Sequence, residues 1–275
     1  MPAVTQLHDV VYIARNYWKT PMLRFNATTH EQLTDVSFRD MSSKAIEIVA
    51  CEQTSQVYVL DSDESIWRMS ADGTNIELLL KQRSVLYWSD DITRMTLSLT
   101  SSRLLVTVFV DKFRGKRFGR TSPSVADYLI QFDAGGRELR RVNLPVEMSP
   151  RHAVESPAGT FIVSNRIKPL KENGQHRISE VDMVGNVLRH FTGSRLLKLG
   201  FSPHIAVDSR GNILVADYGN CHILLLDARL TPRGIVIDKH QLNNGKPQRL
   251  CYVERTGQLL VSRDRSVAVF DMLCR

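Results

Sequence analysis

One period constrains this chain more than any other feature. Short apolar runs recur at 11–14, 57–60, 104–107, 161–164, 213–216 and 259–262. Their first residues, Val11, Val57, Leu104, Phe161, Ile213 and Leu259, lie 46, 47, 57, 52 and 46 positions apart. Runs of four residues rich in Val, Ile and Leu between turn residues read as strands, not helices. A second set follows each run, at 22–25, 66–69, 128–132, 178–181, 223–226 and 267–270. A third set precedes it, at 4–7, 46–50, 95–99, 152–155, 205–207 and 249–253. Outer candidates close most units, at 77–80, 138–144, 187–191 and 234–238, after turns such as Asp72-Gly73 and Asp133-Ala134-Gly135-Gly136.

A fixed period of this length with short strands marks a repeat architecture. Across 275 residues, six units of 46 fill the chain. The expectation is an all-β fold: a six-bladed β-propeller of four-stranded antiparallel blades in a single domain spanning 1–275. The blades fall near 1–40, 41–88, 89–145, 146–198, 199–243 and 244–275. Five residues follow Phe270, so the last blade is expected to lack its outer strand. An open ring would leave an unpaired edge. Two readings stand: upstream sequence of a longer protein supplies a closing strand, or the last blade is three-stranded.

The stretch 203–226 is the most regular unit. In PHIAVDSRGNILVADYGNCHILLL, three apolar strands alternate with Asp-x-x-Gly-Asn and Asp-Tyr-Gly-Asn turns. This segment resembles an NHL repeat, with His204 where glycine is usual and Cys221-His222 in place of His-Arg. The resemblance is close in the fifth unit and faint across the rest. It implies a six-bladed propeller like the C-terminal domain of tripartite-motif proteins. Some of those domains bind RNA and others are protein platforms, including the substrate-recruiting ends of ubiquitin ligases whose catalytic part lies upstream.

Composition sets the remaining bounds. Net charge is +7, a mild basic excess compatible with an acidic partner. The cysteines, Cys51, Cys221, Cys251 and Cys274, form no C-x-x-C pair and no disulfide framework, which points to a reducing, cytoplasmic setting. Residues 1–15 lack the apolar core of a signal peptide, and no apolar run is long enough to span a membrane. A monomeric domain is expected.

The two long spacings arise between second and third strands. The insertion at 109–125 carries Lys112, Arg114, Lys116, Arg117 and Arg120 against Asp111, with Phe113 and Phe118 interleaved. The insertion at 165–176 carries Arg166, Lys168 and Lys171 against Glu172. Strands alternate in direction, so all such loops lie on one face. Tyr17, Trp18 and Lys19, Arg195 and Lys198, Tyr218, and Arg263 and Arg265 are expected to join them, while Asp61-Ser62-Asp63-Glu64 polarises the face. Cations neutralise phosphates and aromatic rings stack on unpaired bases, so the leading expectation is a module for single-stranded or looped RNA. A protein-interaction platform is the alternative. The plainer reading is that long solvated loops are basic and that Phe113 and Phe118 anchor one of them.

Catalysis ranks third. Inner strands offer His152, His204, Glu155 and Asp208, but counting along the units places the two histidines one position out of register, and the two acids read as turn residues. His222 fills a repeat slot that packs or bonds between blades. None of the usual hydrolase, metalloprotease, phosphate-loop or calcium-loop patterns occurs. The histidine set of the amidating lyases that share the propeller fold is not found. The expectation is therefore no catalytic residue, no metal and no cofactor.

Overall fold

A computed structural model describes residues 2–15, 20–38, 41, 43–81, 92–100, 102–110, 126–167, 175–193, 197, 199–200 and 204–272. The described residues form six antiparallel sheets and no helix. Sheet one holds β1 (Ala3–Leu7), β2 (Val10–Ala14) and β3 (Leu23–Asn26). Sheet two holds β4 (Ala45–Cys51), β5 (Gln56–Asp61), β6 (Ile66–Ser70) and β7 (Glu77–Leu80). Sheet three holds β8 (Ile92–Thr100), β9 (Arg103–Val110), β10 (Tyr128–Phe132) and β11 (Glu138–Asn143). Sheet four holds β12 (Met148–Glu155), β13 (Phe161–Ile167), β14 (His176–Val181) and β15 (Val187–Phe191). Sheet five holds β16 (His204–Val207), β17 (Ile213–Asp217), β18 (His222–Leu226) and β19 (Pro232–Ile237). Sheet six holds β20 (Pro247–Val253), β21 (Gln258–Arg263) and β22 (Ser266–Asp271). Within every sheet, strands pair in chain order, so each is a simple meander.

The second strands are apolar at consecutive positions because both their faces are covered. In β5, Val57 and Val59 pack with Leu7, Tyr12 and Met22 of sheet one. Tyr58 and Leu60 pack with Leu104, Val106 and Ile130 of sheet three. In β13, Phe161 and Val163 turn to sheet three while Ile162 turns to sheet five; in β17, Leu214 and Ala216 meet Leu250, Leu259 and Val261 of sheet six. The core is thus a series of slabs, one between each pair of consecutive sheets. The last slab joins sheet six to sheet one through Val253, Leu260 and Val4, with Val11, Ile13, Cys251 and Val267 at its margin. Among the described residues it is the smallest, and an Arg255–Asp9 ion pair of 2.8 Å crosses the same seam. First strands follow the same cycle: β1 packs on β4, β4 on β8, β8 on β12, β12 on β16, β16 on β20, and β20 on β1.

Turns repeat one device. Asp133, Asp182, Asp208 and Asp227 each accept backbone N–H groups two and four residues ahead. These bonds to the ionised carboxyl hold Asp133 and Asp227 below the usual carboxylate range, and the Asn186 side chain, with the backbone bonds, does the same for Asp182. The fourth position has positive φ and is usually glycine, as at Gly185 and Gly211; Leu230 takes it in the Asp227 turn.

Sheet six is three-stranded, as expected. Sheet one is three-stranded too, which the repeat did not foretell. Its outer segment makes only isolated bridges, Met22 to Val36 and Phe25 to Gln32. Between them the Arg24 side chain donates to Thr34 O at 2.7 Å and to Asp72 O, joining the stray segment to sheet two. The long insertions also start later than the sequence implied. Phe109 and Val110 belong to β9, and Arg166 belongs to β13, paired with His176.

Gly185 and Gly159 give a paired test. Both have positive φ, but a Cβ at Gly185 would lie 2.2 Å from Asn143 O, whereas one at Gly159 meets nothing within 4 Å. Gly159→Ala should cost about 1 kcal/mol of stability and Gly185→Ala clearly more, roughly 2–4 kcal/mol, in urea unfolding.

Candidate functional site

The six first strands line a cavity of ≈ 190 Å³. Ladder pairing assigns its layers. The fourth residue of each second-strand run, Ala14, Leu60, Thr107, Ser164, Ala216 and Ser262, pairs with Ala3, Glu47, Thr96, His152, His204 and Arg249. These positions are equivalent in the six sheets. Of these, Ala3, Glu47, His152, His204 and Arg249 line the cavity, and so, two residues on, do Thr5, Val49, Ser98, Val154, Ala206 and Cys251. One layer is therefore strongly polar and the next largely small or apolar.

In the polar layer, Glu47 is 3% exposed, His152 3% and His204 7%. Arg249 Nε lies 2.8 Å from Glu47 Oε1, and His204 Nε2 lies 3.3 Å from the same oxygen. The His152 and His204 rings stack with centroids 3.7 Å apart and planes 26° from parallel. The Leu250 amide donates to His204 Nδ1 at 3.4 Å, which assigns the Nε2 proton to the bond with Glu47. Glu47 Oε2 is buried and accepts no hydrogen bond.

This corrects the expected register. His152 and His204 lie 52 residues apart, the same interval as Phe161 and Ile213, so they share a ladder position and meet. Glu155 is equivalent to Val207, not to Asp208. Asp208 is a turn residue, as read. Glu155 is instead an inter-sheet clamp: Arg103 reaches it at 2.7 Å and Gln131 donates to it at 2.9 Å, while burial pushes its carboxyl pKa up. His222 stays within its own sheet, 3.7 Å from Asp217. The sequence reading passed over Glu47 and Arg249. Their equivalence to the two histidines was the available signal, but Glu47 and Arg249 stand 13 positions before their partners Leu60 and Ser262, whereas His152 and His204 stand 12 before Ser164 and Ala216, so a fixed count misses them.

Of the expected basic face, Tyr17, Trp18, Lys19, Lys112, Arg114, Lys116, Arg117, Phe118, Arg120, Lys168 and Lys171 lie outside the described residues, as do Phe113, Arg195 and Lys198. Arg166, Tyr218, Arg263 and Arg265 lie at the same end of their strands as the polar layer. Arg265 is exposed in a hairpin turn. Arg263 donates to Leu242 O, so part of its guanidinium is committed to structure. Lys246 stands over the Tyr218 ring at 4.9 Å, and Arg151 over Phe109 at 5.9 Å. In the acidic loop the residues divide. Asp61 is buried and accepts from Ser65 N and Trp67 Nε1, both at 2.8 Å, so it builds the turn, while Asp63 is exposed and Glu64 half-buried.

His176, 7% exposed, reports the local field. Burial, reinforced by the charges of Arg151 and Arg166 and opposed by Asp217, lowers its pKa to about 4. In the unfolded chain the ring protonates near 6.5. Between these values only the unfolded state takes the proton, so stability should fall as pH drops from 6.5 towards about 4. His176→Gln should flatten that slope in unfolding measured across this range.

The buried pair makes a second prediction. Arg249→Met leaves the Glu47 carboxylate without its cation and should cost about 3–5 kcal/mol, and adding Glu47→Gln should recover much of it. Urea unfolding of the single and double variants measures both. No protein-family model matches this chain, and no curated protein matches it.

Proposed function

We propose that the six sheets are the blades of a β-propeller of the NHL type, and that the chain is a binding module taking single-stranded or looped RNA. The propeller reading is supported by the cycle of first-strand packing and by the slab joining sheet six to sheet one. The binding surface is the face bearing the turns between second and third strands.

The observation that carries this function is the pairing of cations with aromatic rings at that face. Arg151 and Arg166 stand near His176, where they add to a lowering of its pKa that burial chiefly causes. Tyr218 beneath Lys246, and Phe109 beneath Arg151, interleave aromatic rings with cations. The sequence adds Lys112, Arg114, Lys116, Arg117 and Arg120 to the connection that leaves β9 at that end. Phosphates meet the cations, and splayed bases stack on rings.

A protein platform is the second reading. Leu78, Leu139, Leu188 and Ile235 are exposed on β7, β11, β15 and β19, the outermost strands of their sheets. A partner laid along such an edge would use the rim and leave the basic face untouched.

Binding to a pool of random single-stranded RNA, followed across salt, tests the choice. The intact chain should bind with a steep salt dependence. Arg166→Ala together with Ala at Lys112, Arg114, Lys116, Arg117 and Arg120 should weaken binding and reduce the slope by about one for each phosphate no longer neutralised. Binding unchanged by these substitutions, or none at low salt, would overturn the RNA reading.

A further inference from the structure

Glu47, His152 and His204 each present one ligand atom, and these atoms lie within 4.8 Å of one another. We propose that this trio binds zinc or a similar divalent transition-metal ion at the polar end of the central cavity, with one coordination position open. The inference does not depend on the RNA reading.

The donor set comes first. Two imidazoles and one carboxylate are ligands that zinc accepts, and three protein ligands leave a fourth position for an exogenous group. Spacing comes next. Two ligands about 2.0–2.1 Å from a tetrahedral centre lie roughly 3.3 Å apart. His204 Nε2 stands 3.3 Å from the Glu47 carboxylate at Oε1, the oxygen beside Oε2, and one ligand atom from each of the three residues falls within 4.8 Å of the others. The third observation is the Glu47 carboxylate itself. Its Oε2 is buried without a donor, in a residue 3% exposed. A buried anionic oxygen in that state is costly, and a cation is the partner that relieves it. Three different sheets supply the ligands, so the site is preorganised by the packing of β4, β12 and β16 around the cavity.

Arg249 has a defined part beside this site. It holds Glu47 through Oε1, leaving Oε2 for the metal, and so orients the ligand from behind. Its charge also opposes a second cation. Glu47 supplies one negative charge against the metal and the guanidinium, so the open position should take an anion: hydroxide, or a small carboxylate or phosphate reaching in through the cavity. Loading also asks His204 to move its proton from Nε2 to Nδ1. That breaks the bond from the Leu250 amide, which at 3.4 Å is at the outer limit of a hydrogen bond.

The competing explanation is a purely structural Glu47–Arg249–His204 network. Calorimetric zinc titration of the chelator-treated chain separates the two. The expected result is uptake of one zinc per chain and a higher melting temperature with zinc. His152→Ala and Glu47→Gln, each checked for folding by circular dichroism, should abolish both effects. No uptake by the intact chain, or equal uptake by folded variants, overturns the proposal. Where a variant fails to fold, cobalt(II) bound to the unaltered chain decides. A tetrahedral ligand-field spectrum without a thiolate charge-transfer band supports the site, and an octahedral or thiolate spectrum overturns it.

Discussion

Each sheet in this protein is apolar on two faces, and every other feature follows from the need to cover both. A sheet with one buried face can alternate polar and apolar residues. β5, β13 and β17 cannot, because Val57 and Tyr58, Phe161 and Ile162, and Ile213 and Leu214 point into opposite slabs. Each sheet then requires two neighbours. A linear stack would leave two apolar faces in water, whereas a cycle leaves none. Fully burying a Leu or Phe side chain stabilises by about 1.5–3 kcal/mol, so closing the cycle is favoured at every slab it completes.

The same constraint creates the cavity. Six first strands meeting side by side leave a space their own side chains must fill or line. Ala3, Thr5, Ser98 and Ala206 keep it open, while Glu47, His152, His204 and Arg249 make one layer polar. A charged pair in such a place carries a desolvation cost that an apolar layer would avoid. The stacked imidazoles and the shared Glu47 oxygen therefore call for a role beyond packing.

Much of this was legible from periodicity. β7, β10 and β15 match the expected bounds, and all six second strands stand where their apolar runs placed them. Strong β-branched content between Asp and Gly turns leaves little freedom there. What escaped depended on interactions between distant segments. The outer segment of sheet one pairs only at isolated bridges, and between them the Arg24 side chain takes the Thr34 carbonyl, a contact that no pattern of hydrophobicity records. Glu47 and Arg249 were missed because the hairpins between first and second strands differ in length, so no single count back from the apolar run finds the paired residue. Glu155 was read from its neighbours in sequence, whereas Arg103 and Gln131 decide its environment.

The small slab between sheets six and one has a consequence for motion. A ring of like elements opens first at its weakest joint, and the remaining slabs then hold the others as a curved array. Val4, Val253 and Leu260 with the Arg255–Asp9 pair form that joint. Parting it frees β1 and β20 from each other, and both are walls of the cavity. Separation at this joint would open the cavity sideways while leaving the hydrogen bonds within every sheet intact.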